Sequence, residues 1–584
     1  MKVLLLHPED SRPPAKSPGQ WDLIVDFGHA SPATHQAWGR EMGCRVLSIF
    51  DFAEDIQDLY LTRELLQSAT GRLVDRFGID WWDVLSVAIT PGILQLQMIR
   101  RLAEEVDQGE LYMSRPIPGV RALACIVGRP LHDLESRAHS TLRRFQRYWH
   151  VMSRFDPALT LQIFQDKFDS THWLRSKLVR RRRGVRRPVV LLPSAYLNVS
   201  RTEVAYAAGA PEDRFLLVYA RAIARVEPLP PNVQTASLDA YVARADEAET
   251  ASLGESWSHL KRLLVAERSE FAAAEAAGIL GQVTALLPWG VAIRDGWIRV
   301  LDAENVIACV SADDGNPYSR LPLILAKQRG IPTLACHHGA LDRAMAIKTN
   351  HADFYLAKTE LERDYLLNVC RVEPEVIVPL APPGSRPALL GPTAAPEEKT
   401  CLVFFTETST SPWRGEELYR DLMPAVAVLA RACGLKLVFK IHPFENKGDY
   451  EGWVKDYLPG ESGREVEVIA GSPSELLWKK TRFALTVQSS LALECCARGI
   501  PVFLLAWLRE PHCGYLEQYA RFGVGQVIES PAQLAEIPRL LESQSSRCSR
   551  RGIELTGMNP VTLHDLVHGT HAYPTALKAQ TTGD

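Results

Sequence analysis

The sequence predicts an α/β protein made of two doubly wound parallel-sheet domains facing a common cleft, with a largely helical insertion in the first. Three observations predict it. Short apolar runs that stop at Gly, Pro, Ser or Asp alternate with longer stretches of helical period, the pattern of parallel strands and their crossover helices. The chain has 584 residues, several times the usual span of one domain. The alternation breaks once, across six prolines between Pro379 and Pro396, and then restarts.

In the first domain, residues 1–378, strands are expected at Val3–Leu6, Asp22–Phe27, Arg45–Phe50, Val189–Leu192, Phe215–Tyr219, Val306–Val310 and Thr333–Cys336. Between about 53 and 187 the texture becomes amphipathic and rich in Arg, Leu and Glu, which predicts the helical insertion. The proline stretch, 379–397, can be neither helix nor central strand and reads as a linker. The second domain, 398–545, offers strands at Thr400–Thr406, Leu435–Ile441, Val466–Ile469, Phe483–Val487 and Pro501–Leu505. Residues 546–584 are Ser- and Arg-rich and read as a polar tail, packing back on the first domain if it packs at all.

Composition excludes several classes. Lys and Arg number 66 against 69 Asp and Glu, a net charge of −3, with 46% apolar and 23% charged residues. That balance fits a globular chain and gives no reason to expect a nucleic-acid partner. The 11 cysteines are scattered without zinc spacing and read as reduced thiols of a cytoplasmic protein. The opening Met1–His7 is too short for an export signal, and no run approaches 18 consecutive apolar residues. Neither GxGxxG after the first strand, nor GxxxxGK[ST], HExxH or GxSxG occurs, which disfavours dinucleotide oxidoreductases, P-loop ATPases, zinc proteases and ordinary hydrolases.

Candidate chemistry follows strand ends, where ligands of doubly wound sheets bind. After Asn305–Val310 come Asp313 and Asp314 before Gly315, a carboxylate able to deprotonate a hydroxyl with its pKa tuned upward by its neighbour; a plain turn and helix cap is the bland account. After Ile331–Cys336 come His337 and His338 before Gly339, an imidazole suited to proton transfer or to hydrogen-bonding a phosphate. In the second domain the strand Leu435–Ile441 runs into His442-Pro443, with Lys440 beside it, placing an imidazole to donate to a phosphate oxygen. Gln488, Ser489 and Ser490 follow the next strand and open a helix, so the serines are expected to cap it while their hydroxyls face an anion, with Glu494 set to accept from a ribose hydroxyl. Thr406, Thr408 and Ser409 add hydroxyls after the domain's first strand and either line that pocket or form a solvated loop. The basic run Arg180–Arg187 reads as a solvated helix end ahead of an acidic-surface site, and His564, His568 and His571 as part of the polar tail.

Taken together, Asp313-Asp314-Gly315, His442-Pro443 and Ser489-Ser490 resemble the D/E-D/E-G, HP and serine motifs of bacterial GT-B glycosyltransferases that use CMP-activated acid sugars, the sialyl-, polysialyl- and capsule Kdo transferases. The likeness covers about 306–505 and implies two Rossmann-like domains, a base at Asp313 or Asp314, a phosphate contact at His442 and a phosphate clamp at Ser489 and Ser490. The His338-Gly339 element is similar instead to the polyol-phosphate transferases of teichoic-acid synthesis, where the corresponding histidine is the proposed base and the donor a CDP-alcohol. The resemblance implies a cytoplasmic enzyme, peripheral at the inner membrane face at most. It would carry a sugar from a nucleotide-sugar donor to a saccharide or glycolipid acceptor in surface-glycan or capsule synthesis, with no cofactor and no metal. A UDP-sugar transferase or epimerase of the same fold, and a noncatalytic scaffold, are the rival expectations.

Overall fold

The computed structural model describes residues 1–134, 187–383, 399–542 and 561–569, except 9, 11, 15–19, 29–31, 118, 243–246, 340–347, 349–350, 407–413, 443–444, 459–464 and 509–514. Three parallel sheets run through these residues. The first holds β1 (Lys2–Leu6), β2 (Leu23–Asp26), β3 (Arg45–Ser48), β4 (Glu110–Met113) and β5 (Leu131–Asp133) in the order β3-β2-β1-β4-β5. The second holds β6 (Val189–Ser194), β7 (Phe215–Tyr219), β8 (Val233–Ser237), β9 (Val306–Ser311), β10 (Thr333–Ala335), β11 (Phe354–Ala357) and β12 (Ile377–Pro379), ordered β12-β11-β10-β9-β6-β7-β8. The third holds β13 (Cys401–Phe405), β14 (Lys436–Lys440), β15 (Val466–Ile469), β16 (Thr481–Thr486), β17 (Val502–Leu505) and β18 (Gln526–Ile528), ordered β15-β14-β13-β16-β17-β18.

Each sheet winds outward through its first three strands and then reverses past the first. The reversal leaves a switch point between β1 and β4, between β6 and β9, and between β13 and β16. Helices on both faces bury strands such as Val189–Ser194 and Phe354–Ala357 along their whole length, which is why they read as continuous apolar runs.

The doubly wound α/β class is as expected, but the chain builds three sheets where two were expected. Val3–Leu6, Asp22–Phe27 and Arg45–Phe50 do not join the sheet of Val189–Leu192; they form their own, completed by β4 and β5 from inside the expected helical insertion. Those two strands have four and three residues, and only Leu111 among them is fully buried, so they leave no apolar run to read. The helices Asp55–Gln67, Trp81–Val106 and Val120–Val127 do lie in that stretch, while Arg180–Arg186 falls outside the described residues.

By contact density the chain forms two compact units, one of Met1–Ile56, Gln97–Leu134 and Pro387–Glu554, the other of Gln57–Leu96, Glu135–Arg386 and Leu555–Asp584. Among the described residues Trp81–Val106, with 26 residues, is the one single helix long and apolar enough to cross a membrane, and a bent pair, Ser269–Ala276 with Gly281–Ala303, also passes by composition. In the protein Trp81–Val106 is a core helix. Two thirds of its most apolar window is buried, and Trp82 stacks on Trp257 with ring centroids 5.8 Å apart.

The start of the expected linker belongs to the second sheet. Pro379 ends its edge strand, where a missing N–H is tolerated, and Leu380 and Ala381 are buried. Pro383 packs so closely on Gly209 that a Cβ there would lie 2.7 Å from its ring, and residues 384–397 fall outside the described part. The expected polar tail is also partly structural. The helix Leu563–Val567, held by a capping box between Thr562 and Asp565, places Leu563, Leu566 and Val567 in the buried apolar cluster of the second sheet, which also holds Val190, Phe215 and Leu356. Truncating Leu566 to Ala should therefore cost about 2–5 kcal/mol in urea unfolding of the full chain, and an unchanged midpoint would show that this helix is not docked.

Candidate functional site

Two sets of strand-end loops carry the expected residues, one in each compact unit. After β9, Ser311 donates its hydroxyl to the Asp313 carbonyl at 2.7 Å. The Asp313 carboxylate accepts the Gly315 N–H at 2.7 Å and the Asn316 amide at 2.5 Å, and Asn316 in turn caps the helix Pro317–Gln328 through the Tyr318 and Ser319 N–H groups. Asp313 is thus a turn and cap residue, only 7% exposed.

Asp314 is 1% exposed, pairs with the Lys348 ammonium through one oxygen and accepts the Tyr355 hydroxyl at 3.3 Å through the other. Arg320, itself 1% exposed, donates to the Asp314 carbonyl at 2.9 Å and to the Asp83 carbonyl at 2.8 Å. Burial opposes ionisation of Asp314, but Lys348 and Arg320 outweigh it and hold the carboxyl well below its ordinary range. This corrects the expectation of an upward-tuned base. The sequence shows the neighbouring carboxylate and not the two cations that fold around it.

His338 hydrogen-bonds to the same strand-end turn. Its Nδ1 donates to the Ala312 carbonyl at 3.1 Å; a carbonyl can only accept, so that nitrogen carries the proton and Nε2 is the basic one. The same peptide donates its N–H at 3.1 Å to Glu203, which is wholly buried. Burial, reinforced by the Asp313 charge, raises the Glu203 pKa well above the carboxylate range despite the hydrogen bond from Ala312, so it is held as the neutral acid. His337 stacks on His338 with centroids 5.6 Å apart, and among the described residues neither of its ring nitrogens has a hydrogen-bond partner. Burial first, then Lys348 and His338, lowers its pKa and keeps it neutral. His351, bonded to Asp83, is likewise held down by burial and by Arg320.

In the third sheet β14, β13 and β16 are neighbours, and the described residues that follow them lie at adjacent strand ends. Glu445 organises them. Its carboxylate accepts the His442 N–H at 2.7 Å, the Thr406 hydroxyl, and the Tyr450 hydroxyl at 2.8 Å. Thr406 accepts the same His442 N–H at 3.0 Å, so the backbone at His442 is pinned from two sides while its ring is half-buried. Lys440 is 4% exposed, and its ammonium donates to the Ile441 carbonyl.

After β16, Thr486 bonds the Phe405 carbonyl at 3.2 Å and accepts the Ser489 N–H at 3.3 Å. Ser490 is the N-cap residue of Leu491–Ala497, in helical backbone geometry and without a side-chain cap bond; Ser489 accepts the Leu491 N–H at 3.4 Å, so the expected capping by hydroxyls is weak. Gln488, Ser489 and Ser490 are half-buried. Glu494 is engaged by Arg498 at 3.2 Å, and Arg498 also forks onto Glu475 above the Trp478 ring. Pro443, Thr408 and Ser409 lie outside the described residues. Lys348, Arg320, Glu203 and Glu445 were not foreseen. Only Glu445, three residues past His442, had a local signal.

The sequence matches no known family and no curated protein. Among solved structures, a putative UDP-N-acetylglucosamine 2-epimerase from Listeria monocytogenes is similar at 13% identity, over 68% of this chain and 98% of its own, with a TM-score of 0.41. The UDP-GlcNAc 2-epimerase of Methanocaldococcus jannaschii, in complex with UDP-GlcNAc and UDP, gives 11%, 63%, 95% and 0.38 for the same four measures. The wall teichoic acid polymerase TagF gives 11%, 66%, 88% and 0.35. Likenesses this distant transfer neither residues nor activity.

Removing Lys348 would leave the Asp314 charge buried alone. Lys348→Met should destabilise the chain by about 3–5 kcal/mol in urea unfolding, and adding Asp314→Leu should recover most of that loss. Because His337 and His351 titrate below the unfolded-state value near ~6.5, the folded chain binds fewer protons there and its stability falls as pH drops below that value. A second loss should follow below about 4, where unfolded Asp314 takes a proton and folded Asp314 does not. His337→Phe should shrink the first loss alone; equal losses in both proteins would refute the assignment.

Proposed function

We propose that this protein is a transferase acting on a nucleotide-activated donor, moving a glycosyl group from a nucleotide-sugar, CMP-activated in the first instance, to a saccharide hydroxyl during surface-glycan or capsule synthesis on the cytoplasmic side. One observation carries the assignment of roles: Asp314 is sealed in an ion pair and Asp313 in its own turn, whereas His338 is oriented through Nδ1 and keeps Nε2 basic. His338 then takes the proton of the acceptor hydroxyl as its oxygen attacks the donor.

Within the other unit, the ends of the third-sheet strands would hold the nucleoside phosphate of the donor. The His442 ring and the Ser489 and Ser490 hydroxyls meet its charge there, on a backbone held by Glu445 and Thr406. These groups meet that charge without calling on a metal or a bound cofactor. Gln488 and Thr406 would line the same phosphate pocket. The acceptor is a saccharide or glycolipid, with peripheral contact at the inner membrane face.

His338 as base also favours a second reading, transfer of a polyol phosphate from a CDP-alcohol. In that case the attack is on phosphorus rather than on an anomeric carbon, and the same residues serve. A donor-only epimerase would turn over the nucleotide-sugar with no acceptor present.

A thermal-shift screen of CMP, CDP, UMP, UDP, GDP and ADP at millimolar concentration tests the donor side, because a ligand of the native state raises its melting point by mass action. CMP or CDP should stabilise the wild type, and His442→Ala should lose the shift. A shift with UDP alone would replace the cytidine donor by a uridine one, and no shift with any nucleotide would sink the transferase reading. Once a donor is found, His338→Ala should keep the nucleotide shift and lose about 10²–10⁴-fold in turnover, while Asp313→Asn should lose far less.

A further inference from the structure

The sequence reads His564 and His568 as members of a polar tail, yet the structure converges both on one carboxylate. They lie one turn apart, at the second residue and the C-cap of the helix Leu563–Val567, with ring centroids 4.3 Å apart. His564 Nδ1 lies 3.0 Å from one oxygen of Asp213, and His568 Nε2 lies 2.8 Å from the other. Asp213 is 5% exposed while the two rings are more than one-third exposed, so an anionic donor sits at the floor with two imidazoles above it, open to solvent. The ligand atoms of all three residues lie within 4.8 Å of one another. Glu212 brings a further oxygen to 3.6 Å from His564 Nδ1.

The floor is rigid. Asn232 donates to the carbonyls of Ala207, Ala210 and Asp213 at 2.9, 3.0 and 3.2 Å, which fixes the turn that carries Asp213. The helix above is a single short element held by three apolar side chains.

We propose that Asp213, His564 and His568, completed by Glu212, bind one divalent cation of the zinc class, and that the ion fastens the helix Leu563–Val567 to the body of its unit. Two imidazole nitrogens with carboxylate oxygens are a borderline donor set that suits Zn2+ or Co2+ and disfavours Mg2+ and Ca2+, which take oxygen alone. With metal–ligand bonds of ~2.0–2.2 Å, tetrahedral donors stand roughly 3.3 Å apart, so the observed 2.8 and 3.0 Å pairs need open by only a few tenths of an ångström. Two imidazoles one helical turn apart are a spacing that metal sites use because both rings then reach one point. In the metal-free form each ring nitrogen shares a proton with an Asp213 oxygen; the ion takes the place of those protons between the same atoms.

The test uses the full chain, stripped with a chelator and then given one to three equivalents of Zn2+ or Co2+. The wild type should retain one equivalent through gel filtration, show the visible ligand-field absorption of four-coordinate Co2+, and melt several degrees higher with Zn2+. Asp213→Asn, which keeps the size and a hydrogen-bonding oxygen but removes the anionic donor, should lose the Co2+ absorption and most of the Zn2+ shift, as should the double variant His564→Gln with His568→Gln. Wild-type protein that retains no equivalent overturns the proposal whether or not the variants fold. So does an equivalent that the variants retain unchanged.

Discussion

Everything proposed for the second sheet depends on one buried charge, the Asp314 carboxylate. An isolated carboxylate there would be very costly, so the fold must deliver a cation to it. Lys348 supplies the charge and Arg320 ties the adjoining peptide to the start of the helix Trp81–Val106. That arrangement sets the path of the backbone through Ala312 to Asn316. The same peptide run receives the His338 ring on one side and Glu203 on the other. The orientation of the His338 ring thus rests on a backbone turn whose neighbouring charge, Asp314, had to be neutralised.

The third sheet reaches a comparable end by a different route. There the organising group, Glu445, is bonded by hydroxyls and a backbone N–H rather than by a buried cation, and it constrains the backbone at His442 without taking its ring. In both cases the group that fixes the loop is a different residue from the histidine proposed to act. Strand-end loops of doubly wound sheets are suited to this division, since the strand holds one residue rigid and the next is released from the ladder.

The sequence made the elements legible and left their partnerships hidden. β9 is visible as five apolar residues, Val306–Val310, with Asp-Asp-Gly starting three residues later, and β14 as an alternating strand around Leu437–Phe439 that runs through Lys440 and Ile441 into His-Pro. β5, three residues of Leu-His-Asp, cannot be seen, and with it went the first sheet as a separate object. The reversal of strand order at each switch point is not written in any local pattern. At the site, His338, His442 and the serines could be read because each follows a strand directly. Lys348 could not, because its pairing with Asp314 spans 34 residues and leaves no periodic trace. The sign of the Asp314 shift was misjudged for the same reason: adjacent charges are in the sequence and opposing ones are in the fold.

The docking of Leu563, Leu566 and Val567 on the second sheet bears on how the chain is made. The strands of that sheet leave the ribosome first, then the whole of the third sheet, and only afterwards the helix that completes the earlier core. Folding of this unit is therefore not strictly vectorial. Its apolar cluster is completed only after the synthesis of about 180 further residues at ~5–20 per second, by a segment from near the far end of the chain.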